Sequence, residues 1–209
     1  MLVSILIPTL LERLPVFTPK LESLYKQIKD NNLEKKVEII VMCDNRTMKL
    51  SEKRNTMQKL ARGKYFTAID DDDDLADDYC KTVVRHIEQL KVNHTEYPDI
   101  IGYDQKCFVG DQVFIVKPSL NHTFRLELSP ANVKHPYDVP VYYRLPWQFL
   151  LWRTERFQHV WRTDADTNAR EDQNWLKRVY LEYPKSMSVI ENYIGHYYNF
   201  QDPSLSTCQ

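Results

Sequence analysis

Residues 64–80 read KYFTAIDDDDDLADDYC, which sets five consecutive aspartates directly after a short apolar run. The run Tyr65–Ile69 predicts a buried strand. Two like charges about 4 Å apart repel by about 1 kcal/mol in bulk water, and by more where water is excluded. The carboxylates of Asp70–Asp74 therefore need either full solvation or a cation. Their position after a strand predicts a ligand-binding edge of a sheet.

The order of a strand followed by a helix occurs three times in the first 92 residues. The predicted strands are Leu2–Ile7, ended by Pro8, then Val37–Met42 and Tyr65–Ile69; the helices begin at Thr18-Pro19, at Ser51 (closed by Gly63) and at Asp77. Such alternation predicts a doubly wound, mainly parallel sheet flanked by helices. Ligands bind such sheets at the carboxyl ends of the strands. Thr9, Asp44 and the aspartates all fall at such ends.

The second half of the chain has a different pattern. Ile100–Phe108 and Val113–Val116 flank Gly110-Asp111, which predicts a hairpin. A helix is expected within REDQNWLKRVY (170–180), followed by a closing β segment from Ser186. We interpret residues 1–209 as one domain, in which 1–98 bind a first ligand and 99–209 add a β extension for a second. The ending DPSLSTCQ suits a domain cut from a longer protein.

Composition excludes several classes of function. The 209 residues are 43% apolar with a formal net charge of −1, so a folded core is expected and a nucleic-acid-binding surface is not. There is no apolar run of about 18 residues and no signal peptide, which predicts a cytoplasmic protein without a transmembrane segment. The four cysteines contain no C-x-x-C pair, as expected for thiols in a reducing compartment.

The aspartate run is best explained by a divalent cation. Only four glycines are present, so neither common glycine-rich phosphate loop can form. A solvated helix N-terminus explains Asp77 and Asp78, but not carboxylates that follow a buried strand. A calcium loop would need Gly and Glu where Leu75 and Lys81 stand, and a D-x-D-x-T phosphatase would need Thr in place of Asp74. The remaining explanation is a divalent cation that is held by one or two carboxylates and whose coordination shell is completed by substrate phosphates.

Four ordered motifs resemble those of the nucleotide-sugar glycosyltransferases with the GT-A fold, specifically the inverting family 2. They are VSILIPTLLER (3–13), VEIIVMCDN (37–45), KRNTMQKLARGKYFTAIDDDDDLADDY (53–79) and REDQNWLKR (170–178). The sequence departs from the family pattern at Leu10-Leu11, where the family has Tyr-Asn, and at Asp77, where it has Pro. The chain also resembles enzymes of large DNA viruses that glycosylate a capsid protein, which implies action in the host cytoplasm.

The resemblance implies a UDP-sugar donor and an Mn²⁺ or Mg²⁺ cofactor. It assigns the nucleotide-sugar to Pro8, Thr9, Asp44, Arg54, Asn55, Asp70 and Asp71, and the metal to Asp72, Asp70 and His196. Asp44 would accept the imide N–H of uracil, or be an ordinary strand-end residue. Arg54 is alternatively a surface ion-pair partner, and His196 alternatively a histidine tucked into a strand.

On the acceptor side, the resemblance makes Asp172 the catalytic base and Glu171 a neighbour that orients the base or the acceptor. Asp172 is alternatively a helix cap. Trp147 would stack on a sugar of a glycan or glycoprotein acceptor, whereas Trp152 and Trp175 are expected in the core. A second hypothesis is a non-catalytic nucleotide-sugar-binding module of a multi-domain enzyme.

Overall fold

The computed structural model describes residues 1–93, 96–163, 171–182 and 184–200. The strands are β1 Val3–Leu10, β2 Val37–Asp44, β3 Tyr65–Ala68, β4 Asp74–Leu75, β5 Ile100–Val109, β6 Gln112–Pro118, β7 Glu127–Leu128, β8 Val141–Arg144, β9 Leu151–Arg153 and β10 Met187–Phe200. The helices are α1 Leu14–Asp30, α2 Leu50–Leu60, α3 Tyr79–Asn93, α4 Thr154–Phe157 and α5 Glu171–Leu181, and a 3-10 turn, Leu11–Arg13, precedes α1.

One ten-stranded sheet runs through both halves of the chain, in the order β2-β1-β3-β9-β5-β6-β8-β7 with β10 beside β5 and β4 beside β10. β1 is parallel to β2 and β3, as predicted from the strand–helix alternation. β9 joins the halves because it pairs antiparallel with both β3 and β5. The predicted hairpin is confirmed as β5–β6, and these antiparallel strands make the sheet mixed beyond its first three strands.

The predicted end of the first strand at Pro8 is wrong. β1 continues to Leu10, in register with Asp44 of β2. The carbonyl of Leu6 accepts from Ile69 on the β3 side, and Pro8, two residues on, faces that side as well. β3 ends at Ala68, so the missing N–H of Pro8 leaves no ladder bond unmade.

Helix starts are also shifted from their predicted positions. α1 begins at Leu14, so Pro19 lies inside it. The turn before Pro19 is retained because it buries Phe17 on the same face as Leu24 and Ile28. α2 begins at Leu50 rather than being capped by Ser51, and α3 begins at Tyr79, two residues after Asp77.

Apolar side chains from the sheet and the helices form one core. α1 packs on α3, and α2 packs on β1 and β2. Trp152 and Trp175 lie fully buried in this core with their rings edge to face, 5.4 Å between centroids, as predicted. Among the helices of the described ranges, none is both long and apolar enough to cross a membrane.

The parallel arrangement of β1, β2 and β3 brings their carboxyl ends to one edge of the sheet. Leu10 stands opposite Asp44, and the aspartate loop, residues 70–74, begins two residues after the last residue of β3. The hydroxyl of Thr9 donates to Asp71 Oδ2 at 2.6 Å, which ties the end of β1 to this loop.

Candidate active site

The aspartate loop is neutralised by cationic side chains of the protein itself. Arg13 Nη2 lies 2.8 Å from Asp71 Oδ1 and 3.0 Å from Asp72 Oδ2. Lys20 Nζ donates to the carbonyl oxygen of Asp72 at 2.6 Å and lies 3.0 Å from Asp74 Oδ1. The loop is therefore neither merely solvated nor left as an uncompensated cluster of negative charge.

Arg54 connects the aspartate loop to the amino end of α5. It is 2% exposed on α2, so the alternative of a surface ion pair is wrong. One guanidinium nitrogen contacts Asp70, and the other contacts Glu171. Arg54 Nη1 also donates to Gln148 Oε1 at 2.9 Å. A single side chain thus fixes residue 70 relative to residues 171 and 172.

Glu171 is buried, although the sequence predicts it among the catalytic residues. Its exposed fraction is 1%, and its two oxygens contact Arg54 and Arg162, the latter at 2.5 Å from Nε. Arg162 in turn stacks over Trp175 at 4.6 Å. Both oxygens of Glu171 are paired with buried guanidiniums, and its burial closes the carboxylate to an acceptor hydroxyl, so Glu171 positions α5.

Asp172 follows directly and is only partly buried. Its Oδ2 accepts from Trp147 Nε1 at 3.2 Å, and its Oδ1 accepts from the backbone N–H of Gln173 at 2.7 Å. The second contact is made to the next residue, inside the first turn of α5, and is not the bond of a helix cap. The first contact holds the carboxylate beside an aromatic ring. Trp147 is half-buried under the guanidinium of Arg144, 4.4 Å from the ring centre. The predicted base and the predicted acceptor platform are therefore adjacent.

Asp70 carries an altered pKa. Burial raises it to about 6, Arg54 opposes the rise, and the nearby carboxylates Asp73, Asp72 and Asp172 add to it. Because Asp172 contributes to the raised pKa of Asp70, the start of α5 lies close enough to the loop after β3 for the two carboxylates to interact electrostatically. The side chain of Asp70 keeps 40% of its surface exposed in its recess, so the carboxylate remains accessible to a ligand.

Asp44 has most of its acceptor capacity in use. Oδ2 accepts from the backbone N–H of Thr47 at 2.6 Å and of Met48 at 2.7 Å, and Oδ1 pairs with Lys53. Burial alone would raise the pKa of Asp44, but hydrogen bonds from Lys53 and Met48 outweigh it and lower the pKa to about 2. Asp44 is therefore ionised and holds the loop after β2, and its contact with uracil stays a prediction.

Two further predicted ligands are engaged in protein contacts. Asn55 Nδ2 donates to the carbonyl of Arg162 and its Oδ1 accepts from the N–H of Arg162, both at 2.8 Å, so Asn55 holds that segment. His196 is fully buried; its Nε2 contacts Asp73 Oδ2 at 2.9 Å, and its Nδ1 contacts Gln105 at 3.0 Å. With both ring nitrogens occupied, His196 is a tucked histidine, and its expected role as a metal ligand does not fit this geometry.

A cavity of about 280 Å³ opens beside the aspartate loop, on the side of α1. Its polar lining includes Lys20, Gln27 and Asp70, and Tyr197 of β10 contributes to its wall. The loop thus lies between this open space and the buried network of Arg54, Glu171 and Arg162.

The loop fits a divalent cation by the chemistry of its donors. Carboxylate oxygens are the ligands that Mg²⁺ and Mn²⁺ prefer, and one or two of them suffice when substrate phosphates complete the shell. Asp70 and Asp72 offer such oxygens, and each is paired with a guanidinium of the protein. In the ranges that the structure describes, no three His, Cys, Asp or Glu side chains form a group that could hold a metal.

Sequence reasoning did not single out Arg13, Lys20, Gln148 or Arg162. Five consecutive carboxylates signal that cations must lie nearby, and Arg13, the last residue of the first motif, could have been found on that basis. Arg162 and Gln148 carry no such signal, because they reach the site only through tertiary folding from an aromatic-rich loop.

Comparison with solved structures places this geometry in a known fold. The chain matches S. aureus TarS with a TM-score of 0.62 and 18% identity over 96% of this chain and 37% of TarS. It matches residues 1–349 of TarS in complex with UDP (TM-score 0.63, 18% identity, 96% and 61% covered) and with UDP-GlcNAc (0.60, 18%, 97% and 59%). The predicted GT-A fold is confirmed.

The chain spans between 37% and 61% of the length of these TarS structures. Neither a protein-family model nor a curated protein matches the sequence.

Proposed function

We propose that this protein is an inverting glycosyltransferase of the family 2 type, which transfers a sugar from a UDP-sugar to a hydroxyl of a glycan or glycoprotein. One observation carries the proposal: Arg54 contacts both Asp70, after the nucleotide-side strand, and Glu171, beside the base candidate. Two carboxylate sites that the family resemblance assigns to donor and acceptor are thereby held at a fixed distance.

The donor is assigned to the carboxyl edge of β1, β2 and β3. Asp71, tied to Thr9 at 2.6 Å, is suited to the ribose. Asp70 and Asp72 are the residues that would hold Mn²⁺ or Mg²⁺. A divalent ion bound there would neutralise the diphosphate and stabilise the charge that develops on it as it leaves. The UDP and UDP-GlcNAc complexes of TarS, which shares the fold, support a uridine nucleotide as the donor's leaving group.

Asp172 is proposed as the general base. The acceptor oxygen forms a bond to the anomeric carbon as the bond from that carbon to the diphosphate breaks, and the acceptor proton passes to Asp172. A single displacement inverts the anomeric configuration. The indole N–H of Trp147 orients Asp172 Oδ2, which leaves the remaining lone pairs of the carboxylate for the proton.

The acceptor is assigned to the half-buried ring of Trp147 near Asp172. The C–H face of a sugar packs on an aromatic ring, and the guanidinium of Arg144 covers one face of this indole at 4.4 Å. A glycan or glycoprotein hydroxyl, including that of a viral capsid glycoprotein, is the acceptor class that the resemblance favours.

Thermal unfolding with nucleotides tests the proposal. UDP should raise the unfolding temperature strongly with Mn²⁺ and weakly with a chelator, since binding to the native state alone stabilises it. ADP with Mn²⁺ is the matched control for recognition of the uracil ring. Equal stabilisation in chelator would contradict the metal assignment, equal stabilisation by ADP would contradict the uridine assignment, and no stabilisation by any UDP-sugar would contradict the donor site.

Donor turnover separates the proposed enzyme from a binding module. A transferase releases UDP slowly into water even without acceptor. A non-catalytic nucleotide-sugar-binding module would be stabilised by UDP-sugars and release none.

A further inference from the structure

Arg13 occupies the position on the aspartate loop that faces the end of β1. It is the last residue of the 3-10 turn Leu11–Arg13, and its Nη2 lies between Asp71 Oδ1 at 2.8 Å and Asp72 Oδ2 at 3.0 Å. Its side chain is 19% exposed and that of Asp72 is 33% exposed. The contact is therefore shielded from water yet open to a ligand on one side.

The other cations of the loop bind it differently. Lys20 contacts backbone oxygens of the loop and the carboxylate of Asp74, and Arg54 contacts Asp70. Of the ion pairs recorded for the described residues, the one that involves Asp72 is with Arg13. A divalent cation at Asp72 and the guanidinium of Arg13 are therefore competitors for the same oxygen.

A guanidinium that leaves a carboxylate needs another anion. Arg presents a planar fork of donors that matches phosphate as well as carboxylate. The turn that carries Arg13 follows the end of β1, on the edge to which the donor is assigned. A diphosphate bound there would offer such an anion while its other oxygens face the cation.

We propose that Arg13 makes metal binding depend on the nucleotide: it is the resident counter-cation of Asp72, and it moves to a donor phosphate when a divalent cation takes its place. This inference rests on the proposed function. The consequence is ordered loading, in which the metal binds weakly alone and tightly together with UDP.

Substitution of Arg13 by Gln tests this coupling, with Mn²⁺ alone as the first probe. Mn²⁺ is titrated into the full chain by electron paramagnetic resonance, without nucleotide. Arg13→Gln should bind Mn²⁺ at least about fivefold more tightly than wild type, because release of Asp72 from its partly exposed ion pair with Arg13 is worth about 1 kcal/mol. Arg62→Gln is the matched control: it removes the same charge from an ion pair with Glu38, at 2.7 Å, in which the Arg62 side chain is exposed, at the amino end of the sheet.

The second probe is UDP, titrated with Mn²⁺ present. The ratio of Mn²⁺ affinities with and without UDP should fall in Arg13→Gln and stay at the wild-type value in Arg62→Gln. Arg13→Lys, which keeps the charge but loses the fork, should bind Mn²⁺ alone with nearly wild-type affinity. A substitution that only loosened the loop would weaken the binding of Mn²⁺ and UDP together. Tighter binding of Mn²⁺ alone, combined with a smaller ratio of Mn²⁺ affinities with and without UDP, therefore indicates coupling and not structural support.

Three outcomes would overturn the inference. They are equal Mn²⁺ affinity in wild type and Arg13→Gln, an equal gain in Arg62→Gln, and no Mn²⁺ binding in any variant. The proposed function is judged separately in the same samples: if wild type binds UDP with Mn²⁺ while Arg13→Gln shows no gain, Arg13 is a structural clasp and the proposed function stands. If wild type binds no UDP, both fail.

Discussion

Glu171→Gln should destabilise the fold strongly, although the substitution removes only a charge. Glu171 is 1% exposed and pairs with Arg54 and Arg162, whose side chains are 3% and 1% exposed. Removing one partner of a buried ion pair costs about 3–5 kcal/mol, because the remaining charge is left without compensation. Gln keeps the shape and one acceptor, and Arg54 keeps Asp70 as a counter-ion. We therefore expect a loss of about 3 kcal/mol in the free energy of unfolding.

Urea unfolding measures this loss, and the neighbouring residue supplies the control. Asp172→Asn makes the same chemical change one residue along, at a partly exposed carboxylate whose two oxygens accept from Trp147 and Gln173, and the amide oxygen of Asn keeps one of these two bonds. Its free energy of unfolding should stay within about 1 kcal/mol of wild type. If Glu171→Gln unfolds at the wild-type urea concentration, or if both variants lose equal stability, the ion network does not position α5 and the assignment of separate roles to the two residues is wrong.

The remaining predictions concern the metal, pH and the acceptor. Asp72→Asn should remove the Mn²⁺-dependent part of UDP stabilisation and keep the chelator-resistant part; an unchanged difference would exclude Asp72 as a ligand. The pKa of Asp44 is lowered to about 2, so the folded state binds fewer protons than the unfolded state, and stability falls as pH drops from about 4 to 2. The pKa of Asp70 is raised to about 6, so the folded state binds more protons, and the contribution of Asp70 to stability falls as pH rises from about 4 to 6. The midpoint of urea unfolding, measured across pH, should therefore vary less between about pH 4 and 2 in Asp44→Asn, and less between about pH 4 and 6 in Asp70→Asn, than in wild type. Curves that run parallel to wild type would contradict the assignments. Trp147→Phe keeps a ring but loses the bond to Asp172, and should lower transfer about fivefold with unchanged donor affinity; a changed UDP affinity would place Trp147 on the donor side.

The first half of the fold is predictable from sequence because its signals are local. Apolar runs of strand length, such as VEIIVM (37–42), alternate with helical faces, and the parallel pairing of β1, β2 and β3 follows from the helices between them. Boundaries were less predictable. From sequence alone, Pro8 is expected to end the strand, yet it lies inside β1. It is tolerated there because its missing N–H faces the side of β3, and β3 has already ended at Ala68.

The site is predictable in its carboxylates but not in its cations. Asp70 and Asp172 stand in ordered motifs, and the structure brings them within electrostatic range. Arg162 is recruited from a loop that no pattern connects to the site, and it determines that Glu171 is buried and structural. For His196, the resemblance suggested a metal ligand, and the structure shows a buried imidazole packed against Phe149 at 4.3 Å between ring centres.

Release of UDP from UDP-sugars by wild type and Asp172→Asn tests the central claim most directly. The assay needs no acceptor, since water can take the place of the hydroxyl, and a panel of UDP-sugars with Mn²⁺ covers the unknown sugar. Wild type should release UDP from at least one donor, and Asp172→Asn should release it at least about 100-fold more slowly with donor affinity within about threefold, as expected for loss of a positioned base. Equal release by the two proteins, or binding of UDP-sugars by wild type without any release, would contradict the account.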